Sequence, residues 1–325
     1  MTAPFIVVTR RPPGRAVEIL AEAGQVWVWP EDRAIDRDLL LDRARDADAL
    51  YTMLTERVDE ELLDAAPGLR VVSNMAVGVD NIDREACARR GIRVGHTPDV
   101  LTDTTADMAW ALLLAVSRRI VEGVDHVRSG RWRRWEPKLL WGVDASRTTL
   151  GIVGLGRIGA AVARRGSAFG MEVVYTSRRP KPALEEALGL RRVDLGRLLE
   201  TSDHVVLTAA LTPETHHLID RAALEAMRPT ATLVNVGRGP LVDTDALVTA
   251  LSERWIFGAG LDVTDPEPLP ADHPLVALSN CVIVPHLGSS TRRTREAMAE
   301  LAARNVVAAL AGEPMPAEVP TTGGS

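Results

Sequence analysis

Short apolar runs alternate with helix-patterned stretches along almost the whole chain, and no other property of the sequence restricts its fold as strongly. Between residues 4 and 95 the runs FIVV, VWVW, ADALYTM, LRVVSN and IRV are separated by RAVEILAEA, DRDLLLDRA, EELLDAA and DREACARR. This β, α, β rhythm predicts a parallel sheet covered by helices on both faces. A second series follows DVLTDTTAD. It opens with a long helix through MAWALLLAVSRRIVEGVDHV, capped by Asp103 or a nearby threonine, and continues with strand candidates TLGIV, MEVVYTS, HVVLTA, ATLVN, IFGAGLD and CVIV. Helices are expected near 158–169, 194–201, 220–227 and 243–254, and six strands in this cadence match a dinucleotide-binding sheet. A chain of 325 residues is long for one hydrophobic core, so the two series predict two α/β domains.

The totals narrow the function classes. An apolar fraction of 46% with 25% charged residues is that of a soluble globular protein. The net charge of −6 argues against a nucleic-acid partner, which demands a basic face, but leaves small anionic substrates open. Cys87 and Cys281 are too few and too far apart for a disulfide framework, and no second pair offers a zinc site, so a reducing cytoplasm fits best. No stretch reaches the roughly 18–20 apolar residues of a membrane span, and MTAPFIVVTRRPP reads as a first strand, not a signal peptide. His216 and His217 lie side by side with no third ligand in view, so no metal is expected. After the last helical stretch, REAMAELAARNVVAAL, the tail beyond Gly312 reads as poorly ordered.

GIVGLGRIG places Gly154-x-Gly156-x-x-Gly159 between an apolar strand and a helix. The first glycine permits a tight turn, the second lets a pyrophosphate approach the backbone, and the third lets helix and strand pack closely. The helix N-terminus then faces the phosphate. The loop Gly154, Leu155, Gly156, Arg157, Ile158 and Gly159 is therefore the candidate cofactor cradle. The next strand ends in Ser177, Arg178 and Arg179 where an acid would hold a free ribose 2'-hydroxyl. Guanidinium recognises phosphate in a bidentate manner, so this trio favours NADP(H), with NAD(H) as the alternative.

Three later loops carry candidate chemistry: Arg238 in NVGRG, Glu267 in LDVTDPEP and His286 in IVPHLGSS, each after a predicted strand of the same sheet. That places all three at carboxyl ends of strands, where open α/β folds bind ligands. Histidine has an ordinary pKa near neutrality and suits proton transfer to a carbonyl oxygen. A carboxylate can orient the ring and favour its charged form, and an arginine can hold a substrate carboxylate while countering developing negative charge. Gly237 and Gly239, flanking Arg238, read as clearance for substrate and nicotinamide, so that a bulky residue at Gly237 would damage catalysis more than folding.

VGVDNID, TPDVLTDTTAD, GIVGLGRIG, NVGRG, GLDVTDPEP and PHLGSST occur in the order shown by D-isomer-specific 2-hydroxyacid dehydrogenases, and the chain resembles that family over nearly its whole length. GLDVTDPEPLPADHPL, NCVIVPHLGSSTRRTREAM, GEPMP and GIRVGHTPDVLTDTTAD are most similar to its glyoxylate/hydroxypyruvate reductase branch. The resemblance implies two Rossmann-like doubly wound parallel-sheet domains with a cleft between them. The flavodoxin-like substrate domain would comprise 1–98 plus 289–325, the NAD(P)-binding domain 99–288, with hinges near 99 and 288. It further implies that Arg238 binds substrate, Glu267 supports His286, His286 is the acid/base, and the backbone of Val77 and Gly78 receives the substrate carboxylate. Thr104, Leu211, Thr212, Pro213, Val236, Gly237, Asp262 and Gly288 would line the cofactor.

The segment at about 103–147 lies where the family has a dimerisation helix and arm, although SGRWRRWEPKLLWGVD departs from the family pattern in detail. Its apolar spacing suits packing against a second subunit in a homodimer, and Trp141 is the candidate for reaching the partner's site. The expected reaction is NAD(P)H-dependent reduction of a small 2-oxo acid, glyoxylate or hydroxypyruvate, to the D-2-hydroxy acid. The alternatives are another branch of the family (phosphoglycerate, phosphite or formate dehydrogenase) or a nucleotide-sensing, corepressor-like regulator.

Overall fold

The computed structural model describes residues 3–320. The chain divides into one unit formed by residues up to Leu101 together with those from Ser290 onward, and a second unit, Thr102–Ser289.

The first unit is built on β1 (Phe5–Val8), β2 (Gln25–Val28), β3 (Ala49–Thr52), β4 (Val71–Asn74) and β5 (Arg93–Gly95), all parallel, in the order β2-β1-β3-β4-β5. Strands β3 and β4 are buried at every position because helices cover both faces. On one face Leu40, Leu62, Leu63, Ala86 and Cys87 pack on Val7, Leu50, Val72 and Val94. On the other lie helices Ala16–Ala21 and Arg292–Leu310, the second tied down by Tyr51 and Ser73, whose hydroxyls donate to the carbonyls of Ala299 (3.2 Å) and Ala302 (2.8 Å).

The expected disorder beyond Gly312 is not what the structure shows for the described part of the tail. The amide of Val319 donates to the Val94 carbonyl at 2.8 Å, that of His96 donates to Ala317 at 3.1 Å, and Val319 joins the core. The tail so covers the open edge of β5, whose unpaired backbone groups would otherwise be exposed. Residues 321–325 lie outside the described residues.

The second unit holds β6 (Thr149–Val153), β7 (Glu172–Thr176), β8 (Arg191–Arg192), β9 (His204–Leu207), β10 (Thr232–Asn235), β11 (Gly258–Leu261) and β12 (Cys281–Ile283). The sheet is parallel throughout, in the order β12-β11-β10-β9-β6-β7-β8. The six expected strands are present, and β8 is an addition at the edge. Aspartate caps place several helices: Asp194, Asp220 and Asp243 accept from the amides of Arg197, Ala223 and Ala246.

The long helix after residue 101 differs from expectation in two ways. It begins at Thr102, so Asp103 lies in its first turn rather than capping it, and it breaks into Thr102–Ser117 and Ile120–Arg128. The break has an identifiable cause. The carbonyl of Ser117 accepts from the Val143 amide at 2.9 Å, and Arg119 takes a left-handed conformation (φ 52°). The returning arm thus takes up the carbonyl at the end of the first helix.

Candidate active site

Parallel pairing puts the carboxyl ends of β6, β7, β9, β10, β11 and β12 on one side of their sheet, and the loops that leave them carry nearly all the second unit's candidate residues. The glycine loop leaves β6. Gly154 has φ +96°, and a Cβ there would lie 2.6 Å from the Ala209 backbone. A Cβ on Gly159 would lie 2.4 Å from the Gly154 carbonyl oxygen, so only glycine lets the helix Arg157–Ala168 start so close to the strand. Gly156 differs: a Cβ there would meet nothing within 4 Å. It is the N-cap of that helix and supplies no side-chain hydrogen bond, so the space beside it is open at the positive end of the helix dipole. This cradle fits a dinucleotide pyrophosphate. Leu155 is buried, leaving only its backbone for such contact.

Strand β7 delivers Ser177, Arg178 and Arg179. The Ser177 hydroxyl donates to the Arg179 carbonyl at 2.6 Å, curling the three residues into a compact turn. Its single proton is committed there.

Strands β10, β11 and β12 position the arginine, the carboxylate and the histidine. Asn235, at the end of β10, donates from Nδ2 to the Arg238 carbonyl (2.8 Å) and accepts from the Gly237 amide (3.0 Å), bracketing the Arg238 loop from within. The Arg238 guanidinium donates from Nη1 to the Gly237 carbonyl at 3.0 Å. Glu267 and His286 come together although 19 residues separate them: the ring Nδ1 and the carboxylate Oε1 are 2.7 Å apart. A carboxylate only accepts, so Nδ1 carries the proton of that bond and Nε2 is the ring's other functional atom. His286 itself has a left-handed backbone (φ 53°), and its amide donates to the Asp262 carbonyl at 2.9 Å.

Asp262, 2% exposed, binds the next turn of chain, accepting from the amides of Leu287 (2.6 Å) and Gly288 (2.9 Å). Burial pushes its carboxyl above the ordinary carboxylate range, against those amides and the charge on His286. The family resemblance names Asp262 and Gly288 as cofactor-lining. Their direct bond could not be foreseen from sequence, nor could the bracket formed by Asn235, although a polar residue ending the buried run ATLVN was the available signal.

Glu267 shifts the other way. Burial alone would raise it, but the hydrogen bond and charge of His286, then the Thr264 amide and the charge of Arg238, outweigh burial and hold the carboxyl below its usual value. A depressed acid adds stability above its unfolded pKa, about 4.3 for glutamate, and that contribution is lost as pH falls through the lower folded value. The difference in Tm between wild type and Glu267→Gln should therefore be present at neutral pH and close as pH drops from about 5 to about 3. A difference constant across that interval contradicts the pairing.

The glycines beside Arg238 have a different role from the one sequence suggested. A Cβ on Gly239 would lie 1.9 Å from the Thr264 carbonyl oxygen, and one on Gly237 would lie 2.9 Å from that of Ala209 and 2.8 Å from the Leu241 side chain. The clearance serves the protein's own backbone, which brings the Arg238 loop against the loop holding Glu267. Gly239→Ala is expected to destabilise by about 3 kcal/mol, as overpacking does, with a matching fall in Tm. An unchanged Tm would show that the two loops give way freely.

Thr104 stands in the first turn of helix Thr102–Ser117, Leu211–Pro213 follow β9, and Val236 follows β10. Val77 and Gly78 belong to the first unit, after β4. There Asn74 Nδ2 donates to the Gly78 carbonyl at 3.1 Å, and His96 Nδ1 lies 3.0 Å from that of Val77. Trp141 is 63% exposed and donates from Nε1 to the Pro137 carbonyl at 2.7 Å. Among the described residues no group of three or more His, Cys, Asp or Glu is arranged to hold a metal ion, and no helix is long and apolar enough to cross a membrane.

A doubly wound sheet with a phosphate cradle after β6 and an arginine and a carboxylate–histidine pair on later loops defines the class of nicotinamide-dependent oxidoreductases. Comparison with known proteins makes the assignment specific. Residues 110–288 match the NAD binding domain of the D-isomer specific 2-hydroxyacid dehydrogenases. The chain is 52% identical over 317 residues to a glyoxylate reductase of Thermococcus kodakarensis, covering 96% of this chain and 95% of that one. The crystal structure of the TT0316 protein of Thermus thermophilus is similar with TM-score 0.91 and 51% identity, covering 97% of this chain and 99% of that one. An NADPH-dependent glyoxylate/hydroxypyruvate reductase of Sinorhizobium meliloti, solved with NADP and malonate, has TM-score 0.87 and 34% identity over 98% of each chain. The chain belongs to the D-isomer specific 2-hydroxyacid dehydrogenase family and is an NAD(P)-dependent enzyme of it.

Proposed function

We propose that this enzyme reduces glyoxylate and hydroxypyruvate to the corresponding 2-hydroxy acids, the D isomer where the product is chiral, with NADPH preferred over NADH. The observation that carries the reading is the bond of 2.7 Å between His286 and Glu267, on the same end of the sheet as the glycine cradle. A bound reduced nicotinamide supplies the hydride for the carbonyl carbon. With Nδ1 committed to Glu267, His286 delivers its proton from Nε2 to the carbonyl oxygen. Glu267 keeps the ring oriented through that bond. Arg238 engages the substrate carboxylate and opposes the negative charge that grows on the carbonyl oxygen. The backbone amides at Val77 and Gly78 receive the carboxylate, and Thr104, Leu211–Pro213, Val236, Asp262 and Gly288 line the cofactor.

Arg178 and Arg179, on a turn where a ribose-binding acid would otherwise stand, support NADPH. A homodimer is supported by a row of exposed apolar side chains on helix Ile120–Arg128, Ile120, Val121, Val124 and Val127, continued by Trp132, Trp135 and Trp141 on the arm. Within such a dimer Trp141 reaches the partner's site. The two unpaired cysteines, Cys87 and Cys281, support a reducing, cytoplasmic setting.

The test is one matrix of initial rates, NADPH and NADH each against glyoxylate, hydroxypyruvate, pyruvate and phosphohydroxypyruvate. The reading requires the highest kcat/KM for glyoxylate or hydroxypyruvate with NADPH. A clear NADH preference overturns the cofactor assignment, and cofactor binding without turnover of any 2-oxo acid overturns the activity.

A further inference from the structure

We propose that Arg192 is a specificity-determining residue for the 2'-phosphate of NADP(H). The inference rests on the NADPH reading and adds to it a residue from a different strand, one that no sequence motif marks.

Arg192 ends β8, where it stands opposite Tyr175 in parallel register with β7. The chain of β7 runs on from Tyr175 through Thr176 to Ser177, so Arg192 lies beside the start of the Ser177–Arg179 turn. Its Nη2 donates to the Ser177 carbonyl at 2.9 Å. Neighbouring residues of a strand point to opposite faces, and the two arginines of β8 divide accordingly. Arg191 is paired with Glu172 at 2.6 Å, whereas Arg192 makes no ion pair among the described residues. It is exposed, and a guanidinium carries five N–H donors in a planar fork, so its bond to Ser177 leaves donors for an anion.

Two features of the turn make a further cation useful. The Ser177 hydroxyl is committed to the Arg179 carbonyl, so phosphate recognition falls mainly on guanidinium groups. Arg178 is also partly offset by a resident acid: Glu214 is held below the ordinary carboxylate range, first by a hydrogen bond from Thr212 and also by the charge of Arg178. A phosphate monoester brings a charge of about −1.5 to −2 at neutral pH. Arg192, bonded to the carbonyl at the base of the turn and carrying no acid of its own, supplies the missing positive charge on the edge-strand side.

Calorimetric titration with 2',5'-ADP and with 5'-AMP isolates the 2'-phosphate, since the two ligands differ only there. Arg192→Leu is expected to weaken 2',5'-ADP about tenfold while 5'-AMP binds as in wild type, and Arg192→Lys to recover part of the loss, as a charged but unforked donor would. Arg178→Leu serves as the reference for the site. If Arg192→Leu binds 2',5'-ADP as wild type does while Arg178→Leu does not, the role of Arg192 is overturned. It is equally overturned if Arg192→Leu weakens both ligands alike, because the residue would then only brace the turn. Wild-type protein that binds the two ligands equally would overturn the NADPH reading itself.

Discussion

His286→Asn should reduce 2-oxo acids about a thousandfold more slowly than wild type, within the range by which a positioned general acid accelerates proton transfer. Asparagine is the informative replacement because His286 sits at φ 53°. Asparagine tolerates left-handed backbone, so loss of the proton donor is separated from backbone strain. Its amide cannot deliver a proton from the place of Nε2. Cofactor affinity, read by binding titration, should remain at the wild-type value, since the glycine cradle leaves β6 and is built without His286. A variant with near-normal turnover would mean that another group, or water, protonates the carbonyl oxygen.

The second large effect is expected at Arg238. Arg238→Gln should lower kcat/KM by about three orders of magnitude, comparable to removing a principal electrostatic donor at a developing oxyanion. Arg238→Lys should remain impaired by about a hundredfold although it keeps the charge, because an ammonium lacks the planar fork that can hold a carboxylate while facing the carbonyl oxygen. The loop offers it little room to adapt: Asn235 brackets the backbone on both sides of the residue, and Gly239 packs against Thr264. Lysine at wild-type activity would show that charge alone suffices, and would remove the argument for two-point contact.

Much of the fold was legible because strands covered on both faces carry continuous apolar runs. FIVV, ALYT, VVSN and HVVL are strands for that reason, and the aspartates before several helices are caps as their chemistry favours. The misses are those that local pattern does not encode. Strand β8 consists of two arginines with no apolar signal and pairs only through its backbone. The break near Arg119 depends on Val143, which reaches Ser117 from the far end of the arm. The tail looked disordered because its prolines and small residues resemble a linker, yet Ala317 and Val319 find a strand edge to pair with.

Within the site, the types of Arg238, Glu267 and His286 and their positions after strands already pointed to one sheet end from sequence alone. Their support did not. Asn235 holding both sides of the arginine loop, and Asp262 binding the amides of Leu287 and Gly288, are contacts that only the folded chain creates. Gly239 shows the difference most clearly: its bareness was readable, but the neighbour that requires it, the Thr264 carbonyl, was not.

The most direct test of a hydride-transferring D-2-hydroxyacid dehydrogenase is a turnover of hydroxypyruvate with NADPH deuterated at the transferable position of the nicotinamide, followed by chiral and mass analysis of the glycerate. D-glycerate carrying one deuterium on the hydroxyl-bearing carbon next to the carboxylate is the predicted product. L-glycerate, or cofactor that binds but leaves hydroxypyruvate unreduced, would contradict the account.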